Sequence, residues 1–327
     1  MGGLASAGRL VAAVGLVVGL AACSSTAPGS PVPAPTPVAG GLVGAPAGVR
    51  AAGVSDELVE YGAVAAIRDL VRADRQRFGS LLGVGYSEVA VHSAAIADAA
   101  GFDPSGATEA VRVGRPPDSA VLLRMAVDRA AVDAKFAGLG AERVDTAGAT
   151  TWITGEDHEI PADSPFGWAG NLGAFNRVRV TGDSVAFAPS GAALARVTDP
   201  GGPSLAQDEV IGGLAACLGE VTVAIIGAPG DHGFVSAVGV RVARDEVTEV
   251  VCVPTADPAA LRDRVLDRLD STGAGVGRWP AEPRGARVEA PADLPGVLRV
   301  ETSVAPSSRV GLVLQAWGRG DVAALVG

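Results

Sequence analysis

The strongest constraint on the fold is a pattern that occurs twice. An apolar run from Ser119 to Ala126 leads to Asp128 and then to Ala131, Val132, Phe136 and Leu139 at three- and four-residue steps, stopping at Gly140. Val250 to Thr255 leads in the same way to Asp257, Pro258 and the stripe Leu261, Val265 and Leu269. Each copy reads as a buried strand, a carboxylate that accepts from the free N–H groups of a first helical turn, and a helix with one apolar face. Proline loses nothing at the first helical position, where its missing N–H would have had no partner. With Asp128 set over Asp257, Val121 falls on Val250, Ala130 on Ala259, Ala131 on Ala260, Val132 on Leu261 and Phe136 on Val265, without a gap.

More elements follow each copy. Arg177–Val180, a Thr181-Gly182-Asp183 turn and Ser184–Ala188 predict paired strands, with Val178, Val180, Val185 and Phe187 inward and Arg177, Arg179 and Ser184 outward. A short helix over 192–197 comes next. The later counterparts are paired strands over 297–304 and 307–317 and a helix over 321–326. Ser204 and Gln207, in capping-box spacing, open a helix to Leu218, and strands over 221–226, 234–242 and 247–253 follow. At the front, Ser55 precedes Leu58, Tyr61, Val64, Ala65 and Ile67, a helical spacing that predicts one amphipathic helix ending before Gly79. The expected class is therefore α+β: two tandem ferredoxin-like α/β sandwich repeats over 54–203 and 204–327, with antiparallel sheets and helices on one face. One continuous α+β domain is the alternative.

With 327 residues, 48% of them hydrophobic, the chain can bury one or two sizeable cores. Its formal charge of -10 repels phosphate backbones and excludes nucleic acid as an expected partner. After residue 22 no apolar run approaches the roughly 20 residues that span a bilayer.

The first 22 residues differ in kind. Arg9 precedes an uncharged apolar segment from Leu10 to Gly19, which ends in Leu20-Ala21-Ala22-Cys23. This three-part layout is that of a secretory signal, and its last four residues resemble the lipobox of bacterial lipoproteins. The resemblance implies that residues 1–22 are a signal peptide cut before Cys23 and that the Cys23 thiol receives diacylglycerol and fatty acyl chains such as palmitate. The chain would then be held on the extracytoplasmic face of the cell membrane. Attached acyl chains contribute about 0.8 kcal/mol per buried methylene. Arginine carries almost all the positive charge, Lys135 being the sole lysine, and in this texture the remainder resembles actinobacterial lipoproteins. Residues 23–53 are rich in Pro, Ala, Ser and Gly and predict a disordered stalk.

Beyond Cys23, Cys217 and Cys252 make an even pair, expected to form a disulfide in an oxidising compartment. No established catalytic signature occurs, and neither a metal nor a cofactor is expected. Glu156-Asp157-His158-Glu159 crowds oxygens and an imidazole into one loop, although consecutive side chains usually point apart. Asp231-His232 lies on a glycine-rich connection where a carboxylate could orient a base, and His92 sits in an alanine run that implies no role. Trp152, Phe166, Trp168 and Phe175 cluster around a Pro- and Gly-rich loop, as a capture surface or as a small satellite core. The expected function is a non-catalytic binding or interaction module of the cell envelope, its partner an envelope protein, lipid or glycan. A hydrolase using Asp231 and His232 or the 156–159 loop is the rival.

Overall fold

The computed structural model describes residues 41–44, 58–160, 166–167, 173–199, 203–229, 234–244, 246–272 and 286–327. The lipobox, Trp168 and the Asp231-His232 pair lie outside the described residues.

The described chain opens with α1 (Gly41–Gly44) and β1 (Val59–Gly62), then α2 (Val64–Ala73), α3 (Arg75–Phe78) and α4 (Ser93–Ala100). The first repeated pattern follows as β2 (Glu109–Val113), β3 (Ala120–Arg124) and α5 (Arg129–Gly138). Asp128 caps α5 by accepting from the Ala131 N–H. Next come β4 (Glu142–Thr146), β5 (Ala149–Ile153), β6 (Arg177–Val180), β7 (Ser184–Ala188), α6 (Gly191–Thr198) and α7 (Glu209–Leu218). The second pattern is β8 (Val223–Gly227), β9 (Ser236–Ala243), β10 (Glu246–Pro254) and α8 (Pro258–Thr272), with Asp257 accepting from the Ala260 N–H at 3.0 Å. The last elements are β11 (Arg287–Glu289), β12 (Val297–Ser303), α9 (Leu312–Gly318) and α10 (Asp321–Val326). α9 stands where the second strand of a pair was expected over 307–317, because the Glu249 carboxylate takes up the N–H groups of Gly311, Leu312 and Val313 that open a helix.

The fold is mixed α+β around a large antiparallel sheet. Among the described residues, twelve strands join in the order β11-β12-β10-β9-β8-β1-β2-β3-β7-β6-β5-β4. Helices cover both faces, not the one face expected. The physical reason is in the strands, which are apolar on both sides: Val250 and Cys252 of β10 face one core while Val251 and Val253 face another. On the first face α6 and α7 pack over Val111, Val113, Ala186, Ala188 and Ala224. On the second, α8, α9 and α10 cover Val238, Val240, Leu298 and Val300, and α4 and α5 cover Val121, Leu123, Val185 and Phe187. Val178, Val180, Val185 and Phe187 do point inward as expected, but the other side of β7 is buried too, under α6.

The predicted opening helix is replaced in its first half by β1. Val59 and Tyr61 enter the core beneath α7 while Glu60 points to the opposite face, where it stands across from Arg112 of β2 and Ile225 of β8. Cross-strand partners thus override a helical spacing that Leu58, Tyr61 and Val64 satisfy by coincidence. The helix begins only at Val64.

Cys217 on α7 and Cys252 on β10 are disulfide-bonded, with Cα atoms 6.2 Å apart and both residues fully buried. The bridge staples α7 to the sheet. Within the segment expected as a stalk, Leu42 of α1 is fully buried in the core shared with α7. Both outermost strands are short on apolar side chains. Every residue of β4 is exposed, Glu142, Arg143 and Asp145 among them, and β11 has three residues, two of them Arg287 and Glu289.

Candidate functional site

Between the two apolar cores of the second face lies a seam that the segment 79–92 crosses. Glycine lets the segment lie flat on the sheet: a Cβ on Gly62 would collide with the Val84 carbonyl oxygen, and Gly85 has φ +92° with the Ala110 carbonyl 2.5 Å from where its Cβ would be. Only a residue without a side chain tolerates both the close approach and the left-handed backbone.

Under this segment, charged groups are paired. Arg112 Nη2 lies 3.0 Å from Glu60 Oε1, and its Nη1 donates to Glu88 Oε1. The Ser87 hydroxyl donates to Glu60 Oε2 at 2.8 Å and the Ser119 hydroxyl to Glu88 Oε2 at 3.0 Å. One guanidinium therefore serves two carboxylates in a place where all three residues have lost most of their water, and the hydroxyls supply the remaining stabilisation.

A cleft of about 240 Å³ opens beside this network. Its floor is Glu60 and Ile225; Ser80, Leu82, Val84 and Ser87 form one wall, and Gly311, Leu314 and Gln315 from the start of α9 form the other. That second wall is fixed by Glu249 of β10, whose buried carboxylate accepts from the N–H groups of Gly311 at 2.6 Å, Leu312 at 2.9 Å and Val313 at 3.2 Å. The Ser80 hydroxyl donates to the Val310 carbonyl and ties the walls together. On the far side of Leu82 a second hollow of about 140 Å³ is lined by Val64, Ile67, Arg68, Gly83, Tyr86 and Ser105. Leu82 borders both and is half-exposed. Burial, then the Asp103 carboxylate, pushes the Tyr86 phenol up from the ordinary tyrosine range.

On the opposite face Tyr61 donates to Glu109 Oε1 at 3.0 Å. Burial first, and Glu109 second, push the Tyr61 phenol well above the tyrosine range.

The residues singled out from the sequence fall elsewhere. Trp152, Phe166 and Phe175 are each about 2% exposed and pack with Phe136 and Phe187, the Phe166 and Phe175 rings lying 4.6 Å apart. They are core residues, so of the two expectations the capture surface gives way to the core: β5, β6 and α5 enclose them, which the Pro- and Gly-rich connection hid. The 156–159 loop does not converge. Glu159 accepts from the Glu156 N–H, Asp157 pairs with Arg177 at 2.7 Å and accepts from the Gly191 N–H, and His158 Nε2 lies 3.2 Å from Asp118. Among the described residues no group of three or more His, Cys, Asp or Glu could hold a metal ion. His92 is half-buried at the end of the crossing segment. The sequence reading missed Glu60, Arg112 and Glu88. A lone charge between valines, as in Val111-Arg112-Val113, is also how an ordinary solvent-facing strand position looks.

Among the described residues no helix is long and apolar enough to cross a membrane. No family model matches the chain, and no curated protein matches it. A solved structure titled "Structure of crystal form I of TP0453" matches over 86% of this chain and 97% of its own, at 12% identity and a TM-score of 0.40. The fold stands on the strand pairing given above, and that distant likeness adds nothing to it.

Proposed function

We propose that the protein is a lipoprotein tethered through Cys23 to the extracytoplasmic face of the cell membrane, where it acts as a non-catalytic binding module for a small molecule. The observation that carries the binding half is the cleft over Glu60: an open hollow with apolar walls, held by glycine contacts and a capped helix start that leave it preformed. The Cys217–Cys252 bridge supports an oxidising compartment, since such bonds persist outside the cytoplasm. The rival hydrolase reading draws no support from the 156–159 loop, whose side chains each serve a different partner.

The arrangement also supports an internal duplication. β3 is followed by α5 and flanked by β2 and β7, as β10 is followed by α8 and flanked by β9 and β12. We read each half as one copy of the expected ferredoxin-like repeat, fused edge to edge through β1, β2 and β8 into one sheet.

Two measurements test the proposal. Cys23→Ala should move the protein from the membrane pellet to the soluble fraction, and an intact mass lacking acyl chains on the untouched protein would refute the anchor. Native mass spectrometry of protein taken from its own membrane should show a retained small molecule that Leu82→Trp, which fills the mouth of the cleft, expels. A bare mass for both would refute the binding module.

A further inference from the structure

The hydrogen-bonding capacity of the cleft is one-sided. The Ser80 hydroxyl proton is engaged by Val310, the Ser87 hydroxyl proton by Glu60, and the Gly311 N–H by Glu249. What those hydroxyls still offer is lone pairs, because each hydroxyl oxygen accepts twice as well as donating once. Glu60 is a carboxylate with four acceptor sites, of which Arg112 and Ser87 take two. Gln315, at the exposed rim, is the lining side chain that can also donate. Charge points the same way, since the guanidinium nearest Glu60 is shared with Glu88. An occupant must therefore bring donors and, best, positive charge, while an anion would face an acceptor-rich wall and the Glu60 carboxylate. Size sets a second limit: 240 Å³ is the share of about eight liquid waters, enough for a short chain or one ring.

We propose that the cleft takes a small protonated amine with a short apolar body, its ammonium against Glu60 and Ser87 and its carbon against Leu82, Val84, Ile225 and Leu314. This deepens the binding module proposed above and depends on it. No bond is made or broken. Glu60 is the charge that selects, and the four apolar side chains set the length accepted.

Three probes of matched length separate the ideas: hexylamine, hexanol and hexanoate, titrated calorimetrically at pH 7 into the disulfide-bonded protein. Hexylamine should bind about tenfold more tightly than hexanol, the difference between a charged and a neutral hydrogen bond, and hexanoate should not bind. Glu60→Gln should bring the amine down to the level of the alcohol while leaving the alcohol unchanged. If that variant fails to fold, Ser87→Ala, at an exposed position, should reduce the same preference by a smaller factor. Leu82→Trp should weaken both amine and alcohol. Equal binding of amine and alcohol, or an amine preference that survives both polar variants, would overturn the amine assignment and leave the binding module standing. Absence of all binding, or binding indifferent to Leu82→Trp, would overturn both.

Discussion

Raising the pH above 10 should destabilise the protein through its tyrosines, and the effect can be worked out from their surroundings. The chain has two, Tyr61 and Tyr86, and both are buried with phenols pushed above the ordinary range. In the unfolded chain a tyrosine loses its proton near pH 10, whereas in the folded protein both phenols hold theirs to higher pH. Stability is therefore complete below pH 10 and declines as pH rises toward the folded values, because the unfolded state is the one that releases protons. Held neutral, Tyr61 costs the folded state about 1.4 kcal/mol at pH 11, and Tyr86 adds to this in the same direction, against a typical total of about 5 to 15 kcal/mol. Urea midpoints measured from pH 8 to 11.5 should fall accordingly. Absorbance at 295 nm should show no tyrosinate rise near pH 10 while the far-ultraviolet dichroism is intact. With Lys135 the only lysine, amine titration adds little in this range. Tyr61→Phe should remove its share of the pH dependence and leave that of Tyr86. A tyrosinate signal rising with a midpoint near 10 in protein that is still folded would refute the burial of Tyr61 against Glu109.

Other consequences can be checked with the same urea curves. Replacing Cys217 and Cys252 together by Ala should cost about 3 to 4 kcal/mol by loss of a 35-residue closure, and an unchanged midpoint would mean the bridge does not form. Phe175→Ala should cost about 3 to 5 kcal/mol, since its ring packs on Phe102, Phe166 and Phe187; a change below 1 kcal/mol would return this aromatic group to the surface. Arg112→Leu should cost about 3 to 5 kcal/mol by leaving Glu60 and Glu88 without their shared partner, and a neutral outcome would show that the pair is solvated.

What the sequence disclosed and what it hid follow one physical division. Elements announced by local chemistry were legible: Asp128 and Asp257 cap the helices expected, Ser204 and Gln207 form the capping box, and β6 and β7 meet across the Thr181–Asp183 turn. The disulfide was legible as well, from two cysteines on apolar faces. Features decided by distant neighbours were not. β1 is a strand because β2 and β8 flank it, and nothing within Val59–Gly62 outweighs its helical spacing except Gly62, a poor helix residue whose missing Cβ admits Val84. The cleft draws residues from positions 60, 80–87, 225 and 311–315, too far apart for any spacing rule to connect. Trp152, Phe166 and Phe175 were recognised as a cluster, yet whether a cluster faces water or its own fold depends on what covers it.

The blunt ends of the sheet have a consequence for life at close quarters. Among the described residues the sheet of twelve strands ends in two rows of backbone N–H and C=O groups that another copy could extend. At one end a newcomer must strip water from Glu142, Arg143 and Asp145, and at the other it finds three residues flanked by Arg287 and Glu289. Such termini discourage end-to-end polymerisation into ribbons.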